Sequence, residues 1–595
     1  MGERSTSLAG HLHGAFSEST GSAAAHYSEA SRLGIDAVAI TDHDWRLANR
    51  CYRRAFHFSA MSERGPDGVW QLVPTRDPGL TSASGASIVG TDVCPGDTTA
   101  GAGSLRLTAA STSTAVATLA VTLDASGATN NYSGHAGGRT LHLWVKPIHS
   151  VAGSYLSLRC LYSTDPVHGT KQVIYQFRTD VTAPTVLRGN GTIVNVLLPV
   201  SAGAWNEVII VPAADVEALW PDQVSGDSSF KRITFQATSK NTVSADGLFG
   251  GFSWAFRPGW AFETGYVPGA GNYDPLADYI DIVRRVAAKH PGILSLYGLE
   301  HSVDQHFCQI GGTPFLYPYA DRSGDPHPVL SDAVGLDQVA AIRQRGGIVT
   351  ANHPFGTIAT LPTAGNRASL LSSTKKRYLQ LGFWDADVLE TGYDKRGMDL
   401  RGHQSLFDCG VSNGHFITAN GVSDDHVGSD WSKQVNRFLT HLWTRSQTEA
   451  GIQAALRNGR ATVGRLGDWR GALDLNLNGR ARMGQVLVDP AAGTDRLVVE
   501  ASGLPAGSSV HVLRGVVDYS GAGAADPVPV ATLAASAFAG GAATANLPYS
   551  RQANYYRVDV LASDGRTIAF SNPVWHLPAA PAPGRPQIPR GRLAV

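Results

Sequence analysis

Cysteine is scarce in this sequence: Cys51, Cys94, Cys160, Cys308 and Cys409 are the only five in 595 residues, and none stand at CxxC spacing. That spacing excludes a thiolate zinc knuckle. At least one thiol is unpaired within the chain, and a Cys94–Cys160 disulfide is an open pairing that spacing alone does not fix. No apolar run approaches the roughly 18 residues of a spanning helix, so no membrane span is expected. Residues 1–7 lack the apolar core of a signal peptide. The first candidate ligand follows Met1 so closely that an exported protein with its leader removed is the expectation, with a cytoplasmic location as the alternative. An excess of one charge is also missing, with 49 basic against 49 acidic side chains. This balance argues against a nucleic-acid partner and an anionic membrane surface.

The chain is far longer than one core requires, and roughly three or four domains are expected. Near its start stand His11-Leu12-His13. Side chains two apart on a strand share a face, so the two imidazoles can grip one ion. Glu18 follows where a turn would bring its carboxylate back over the strand end. By itself such a pair is a weak signal. Residues 22–32 read as an amphipathic helix stopped by Gly34, and residues 37–40 as an apolar strand ending in Thr41-Asp42-His43-Asp44. Ligands collect at the C-terminal ends of strands in parallel α/β folds, which brings His43 to the rim of the first pair. Its structural alternative is a capping histidine.

From about residue 51 to 262 helical periodicity nearly vanishes. Alternating strands at 140–145, 155–160, 173–177, 207–211 and 232–236 are separated by Gly, Ser, Thr and Asn clusters. The pattern resembles jelly-roll modules that bind carbohydrate, with a lid or a dimerisation module as the alternative, since strand patterning names no ligand. The α/β pattern then resumes with a helix over 275–289 and a strand ending in Gly298-Leu299-Glu300-His301. His306 sits in a strand-like segment, a helix over 335–345 leads to a strand ending in Asn352-His353-Pro354, and further strands end in Glu390-Thr391-Gly392 and Ser423-Asp424-Asp425-His426. Purely structural strand ends would be Asn, Ser, Asp and Gly rather than this succession of histidines and carboxylates. A helix over 449–457 precedes a second all-β region with strands near 497–501, 510–516 and 555–561. The Pro-rich tail over 577–589 reads as extended or disordered.

As an ordered set, His11-Leu12-His13 with Glu18, Thr41-Asp42-His43, Gly298-Leu299-Glu300, Gln305-His306-Phe307, Asn352-His353-Pro354 and Ser423-Asp424-Asp425-His426 resemble the PHP (polymerase and histidinol phosphatase) superfamily of metallohydrolases. Residues 454–460, Arg482-Met483-Gly484 and residues 565–573 are similar to the branch that includes carbaryl-hydrolase-like enzymes. The resemblance implies an α/β fold, a distorted seven-stranded (β/α) barrel, over residues 1–51 and 266–445. With the strand patterning, an inserted all-β jelly-roll-like domain is expected over 52–265, a C-terminal β-sandwich-like domain over 446–577 and the Pro-rich tail over 578–595. The resemblance further implies three divalent metal ions at the C-terminal rim. His11, His13 and Asp424 would hold one, Glu300 would bridge it to a second completed by His306 and His353, and Glu18, His43 and His426 would hold a third. Glu18 is a departure, because the family often has Asp or His there. Glu300 and Asp424 are thus candidate catalytic ligands, and His301 is a candidate for protonating the leaving group.

Imidazoles and carboxylates without thiolate suit zinc, manganese or iron(II), and closely spaced ions clamp the attacking and leaving oxygens of a displacement. Hydrolysis at phosphorus follows most naturally, on a phosphorylated small molecule or glycan, with possible sugar contact through the β insertion. The same ligands would serve a carbamate or aryl-ester hydrolase. A different class of alternative is a non-catalytic glycan-binding protein on a degenerate scaffold. Asp42, Asp44 and Asp425 are expected either to orient ligand imidazoles or to cap turns.

Overall fold

The computed structural model describes residues 2–17, 21–44, 47, 54–57, 70–71, 80–82, 86–89, 92–95, 103–110, 114–122, 140–165, 169–188, 191–224, 226–228, 230–240, 243–255, 274–302, 305–317, 331–357 and 360–594. Its architecture is multi-domain, with mixed sheets and few helices. No helix among the described residues is long and apolar enough to cross a membrane.

The α/β part begins with β1 (Arg4–Ala9), α1 (Ala23–Leu33) and β2 (Ala37–Ile40). Helix α1 starts where the Ser22 hydroxyl accepts from Ala25 N. It stops at Gly34, whose left-handed φ of 66° carries no Cβ penalty. After the long insertion come α2 (Pro275–Ala287), β3 (Leu294–Ser302), β4 (His306–Ile310), α3 (Asp332–Gln344), β5 (Ile348–Ala351), α4 (Ala364–Gln380), β6 (Val388–Gly392), α5 (Leu400–Ser412) and β7 (Thr418–Gly421). In space the strands run β7-β6-β5-β4-β3-β2-β1. Strand β4 is antiparallel to both neighbours, and the other pairs are parallel. The C-terminal ends of six strands and the N-terminal end of β4 therefore share one rim. The two ends of the run meet there: Leu12, beyond β1, pairs in parallel with Asp425, beyond β7, and His13 N donates to Asp425 O at 2.9 Å.

Close packing lets β3 reach the rim. A Cβ on Gly298 would lie 2.4 Å from Gln309 O and 2.9 Å from Thr41 Cγ2, so only glycine fits. Strand β2 is buried along its whole length, as expected for a strand covered on both faces. Strand β3 runs on to Ser302, so Glu300 and His301 lie inside the strand and point to opposite faces.

The sheet does not stop at β1. Strand β8 (Phe438–Thr444) pairs with β1 in antiparallel fashion and carries the sheet through residues 461–465 and 567–571 into the C-terminal strands. There Leu475 and Val499 of a four-stranded sheet pack on Val512 and Val558, a face-to-face arrangement with a common apolar core. In the insertion, two sheets of seven strands face each other over Leu143, Leu158, Tyr175, Phe235 and Phe249. Its one described α-helix, Pro212–Leu219, is an element that alternation did not reveal. Cys94 and Cys160 are both buried free thiols, so the open disulfide pairing is not formed.

The Pro-rich tail runs as irregular backbone over 578–589, and just beyond it the chain is anchored. Leu593 pairs with Val486, and Arg592 is fully buried, donating to Arg457 O, Gly484 O and Thr418 Oγ1 at 3.0, 3.3 and 2.7 Å. Proline content predicts an extended backbone, and here that backbone is anchored by one side chain that satisfies three buried acceptors.

The insertion is tied to the α/β part by Asp227. Its buried carboxylate accepts from Ala23 N and Ala24 N, each at 2.8 Å, the first two amides of α1. A carboxylate there satisfies amides that have no partner within the helix and complements its dipole. Asp227→Ala should leave the buried Ala23 amide and the part-buried Ala24 amide without this partner, at a cost of about 2 kcal/mol. Hydrogen exchange at residues 23–25 should accelerate while the C-terminal sandwich is unaffected, and unchanged protection would show that the tether is not needed.

Candidate metal centre

Just beyond β1, His11 and His13 bracket Leu12 in an extended segment rather than in the strand itself, and both rings are buried. Their Nε2 atoms face each other at 3.1 Å. Each ring is held from behind: His11 Nδ1 lies 2.7 Å from Glu390 Oε1, and His13 Nδ1 lies 3.1 Å from Ser17 Oγ. A proton kept on Nδ1 by the Glu390 carboxylate leaves the lone pair of His11 on Nε2, turned toward the partner ring, as a metal-ligating imidazole requires.

Glu300 stands at the centre of the rim with no solvent exposure. Around its carboxylate are His43 Nδ1 at 2.8 Å, His306 Nδ1 at 3.0 Å, His353 Nε2 at 3.1 Å, and the Nε2 atoms of His11 and His13 at 3.5 Å each. Asp424 Oδ1 lies 3.1 Å from His13 Nε2 and 3.5 Å from His11 Nε2. The His426 ring stacks on that of His13 with centroids 4.1 Å apart. His306 and His426 are only half-buried, which leaves the cluster one open side. Two members hold left-handed backbone, His353 at φ 21° and Asp424 at φ 51°, and such strain concentrates at functional sites.

Burial opposes ionisation of Glu300, but the imidazoles of His306, His43 and His11 outweigh it and hold the carboxyl well below its ordinary range. Burial, then the His426 and His43 charges, pushes His13 well below an ordinary imidazole, and burial lowers His353 to about 4. For His11, burial is outweighed by Cys308, Glu390 and Glu300 around it, and the direction is up. A cation would bind the ionised Glu300 carboxylate and the imidazoles in their unprotonated form, so its binding would release the proton that His11 retains.

The structure gathers His11, His13, His43, Glu300, His306, His353, Asp424 and His426 at this rim, whereas Glu18 lies outside the described residues. The grouping differs in detail from the implied one. His43 stands between two sets, with Glu300 and His306 on one side and with His13 and His426 on the other. His301 is not part of the cluster: it is fully buried on the other face of β3, 3.0 Å from Asp44 and against the Phe315 ring. Alternation along the strand turns it away as it turns Glu300 in. Of the neighbouring aspartates, Asp425 caps a turn, whereas Asp42 and Asp44 bond to distant segments of the chain. Asp42 accepts from Gly14 N, Asp44 meets His301, and Asp425 accepts from Val427 N and Gly428 N. Burial pushes the Asp42 carboxyl up to about 7.

Sequence reasoning missed Glu390 as a partner of His11, although it ends a strand like the other cluster residues. It also missed Asn352, whose amide donates to Glu300 at 2.8 Å, Cys308, grouped with His11 and Glu390, and Arg396, ion-paired to Asp424. The strand-end positions of Glu390 and Asn352 were signals in the sequence; a lone Cys and a loop Arg carry none. The donor set fits divalent ions: several groups of three ligand atoms lie within 4.8 Å of one another, and Glu300 Oε2 is buried without a well-aligned hydrogen bond.

Glu390→Gln should weaken metal affinity about 10- to 100-fold by releasing the His11 ring, with the fold retained. A manganese titration checks this, and unaltered affinity would remove Glu390 from the site.

No family model and no curated protein matches the chain. Among solved structures, one similar chain is a two-domain protein containing a predicted PHP-like metal-dependent phosphoesterase from Bacteroides vulgatus ATCC 8482, at 16% identity over 51% of this chain and 83% of that one, with a TM-score of 0.24. A family 12 xyloglucanase from Bacillus licheniformis is 10% identical over 31% of this chain and 96% of its own, with a TM-score of 0.21. A family 30 carbohydrate-binding module is 12% identical over 32% and 85%, with a TM-score of 0.19. At these scores the likenesses carry no weight for function, and the case for a metal centre rests on the geometry of the rim.

Proposed function

We propose that the chain is a metal-dependent hydrolase that cleaves phosphoester bonds, built on a distorted seven-stranded (β/α) barrel of the PHP type over residues 1–51 and 266–445. The observation that best supports this reading is the convergence of five imidazoles on buried Glu300, with Asp424 and Glu390 beside them. Zinc, manganese or iron ions bound there supply Lewis acidity and lower the pKa of coordinated water towards 7. His11, His13, Asp424, Glu300, His306, His353, His43 and His426, with Glu18, would hold the ions, His43 standing between the Glu300–His306 and the His13–His426 sets.

The remaining residues organise these ligands. Glu390 fixes the proton on His11 Nδ1, Ser17 meets His13 Nδ1, and Ser302 lies 2.6 Å from His43 Nδ1. Strand burial excludes water behind the cluster, and the half-buried His306 and His426 mark the side from which a substrate would enter.

In this reading residues 52–265 form an accessory domain, 446–577 a C-terminal β-sandwich domain, and 578–595 its tail, in a protein acting outside the cytoplasm. The substrate would be a phosphorylated small molecule or glycan. Carbohydrate contact through the insertion is supported by a polar row on the outer face of its sheet: Arg159 donates to Gln236 at 2.7 Å and Gln176 to Asn195 at 2.9 Å.

Metal-loaded protein is expected to hydrolyse bis-p-nitrophenyl phosphate and to leave 1-naphthyl carbamates intact. The His11→Ala, His13→Ala double variant should lose at least about a hundredfold in turnover, with its circular-dichroism spectrum unchanged. Carbamate turnover without phosphodiester turnover would favour the carbamate reading, and full activity in the double variant would overturn the site.

A further inference from the structure

The geometry points to Arg396 as the side chain that recognises the anionic group of the substrate, an inference that rests on the phosphoester reading above. Arg396 lies in the loop between β6 and α5, and that loop is pinned. The Tyr393 hydroxyl donates to Glu390 Oε2 at 2.6 Å, and Asp394 N and Lys395 N both donate to Asn436 Oδ1, at 3.2 and 3.0 Å. Asp399 closes the loop by capping α5 through Gly402 N at 2.9 Å. The guanidinium is therefore delivered to the rim by a fixed backbone, with one terminal nitrogen donating to Thr357 O and the other paired with Asp424 Oδ2. Its Nε is buried without a hydrogen bond.

Asp424 is thus shared. Its Oδ1 faces His13 and His11, and its Oδ2 faces Arg396. Among the described residues, the cluster carboxylates Glu300, Glu390 and Asp424 outnumber this guanidinium, which is paired with Asp424. Divalent ions at the rim would reverse the sign of the cluster. Asp424 would then be neutralised from its other side, and the strongest available partner for the guanidinium becomes an anion entering the pocket. A planar fork of donors matches the oxygens of a phosphoryl group in pairs, whereas a carbamate offers one neutral carbonyl oxygen. Arg396 accordingly favours phosphoesters over carbamates among substrates that the metal ligands alone would not distinguish.

The test is calorimetric titration of the manganese-loaded full chain with inorganic phosphate, comparing wild type, Arg396→Lys and Arg396→Gln, with manganese titrations run in parallel. Arg396→Gln should weaken phosphate binding about 10- to 100-fold, and Arg396→Lys less, at unchanged manganese stoichiometry. Equal phosphate affinity in wild type and Arg396→Gln overturns the assignment while leaving the hydrolase reading in place. A loss of bound manganese in Arg396→Gln also overturns it, since the arginine would then serve to position Asp424. Should Arg396→Gln fail to fold by circular dichroism, the Arg396→Lys comparison decides, because affinity equal to wild type would contradict paired recognition. Absence of both phosphate binding and phosphodiester turnover in wild type would overturn this inference and the hydrolase reading together.

Discussion

The buried carboxylate of Glu300 is the constraint on which the rest of the rim depends. An isolated ionised carboxylate in a protein interior is too costly to persist, so it must be protonated, paired or bound to a cation. Here five imidazoles lie within 3.5 Å of it, drawn from the ends of β1, β2, β4 and β5. Each strand end is held against its neighbours by the strand pairing below it, antiparallel at β4 and parallel elsewhere, and by the Leu12–Asp425 bridge that joins the two ends of the run. The strained backbone at His353 and Asp424 is tolerated because this packing over-determines both positions. The strand pairing therefore sets the positions of these ligands relative to one another.

The large additions stabilise that rim from outside. Asp227 of the insertion fixes the start of α1, the helix that follows the loop carrying His13 and Ser17. From the other end of the chain, Arg592 donates to Thr418, the first residue of the strand that leads to Asp424. Because β8 extends the same sheet into the C-terminal strands, motion at the rim is opposed by a continuous hydrogen-bonded ladder. These contacts give the flanking regions a structural role alongside any binding they perform.

Much of this was legible from residues alone. Period and stop signals placed α1, β2, β5 and α6 (Glu449–Arg457) within a residue or two, because Ser22, Gly34 and the buried apolar runs each act locally. The histidines and carboxylates at successive strand ends announced the rim for the same reason, since strand ends in a parallel sheet converge. What failed was long-range. Nothing local shows that His301 turns toward Asp44, that Asp42 accepts from Gly14 N, or that Arg592 returns beneath β7. Glu390 ends a strand like the others, but its pairing with His11 spans 379 residues and only the fold reveals it.

The central claim is that Glu300 and its imidazoles form a multi-ion site. Elemental analysis of the full chain, after loading with manganese or zinc and removal of free ions by gel filtration, tests it most directly. Two or more divalent ions per chain, falling below one when Glu300 is replaced by Gln, is the predicted result. Fewer than two ions in the wild type, or a count unmoved by that replacement, would contradict it.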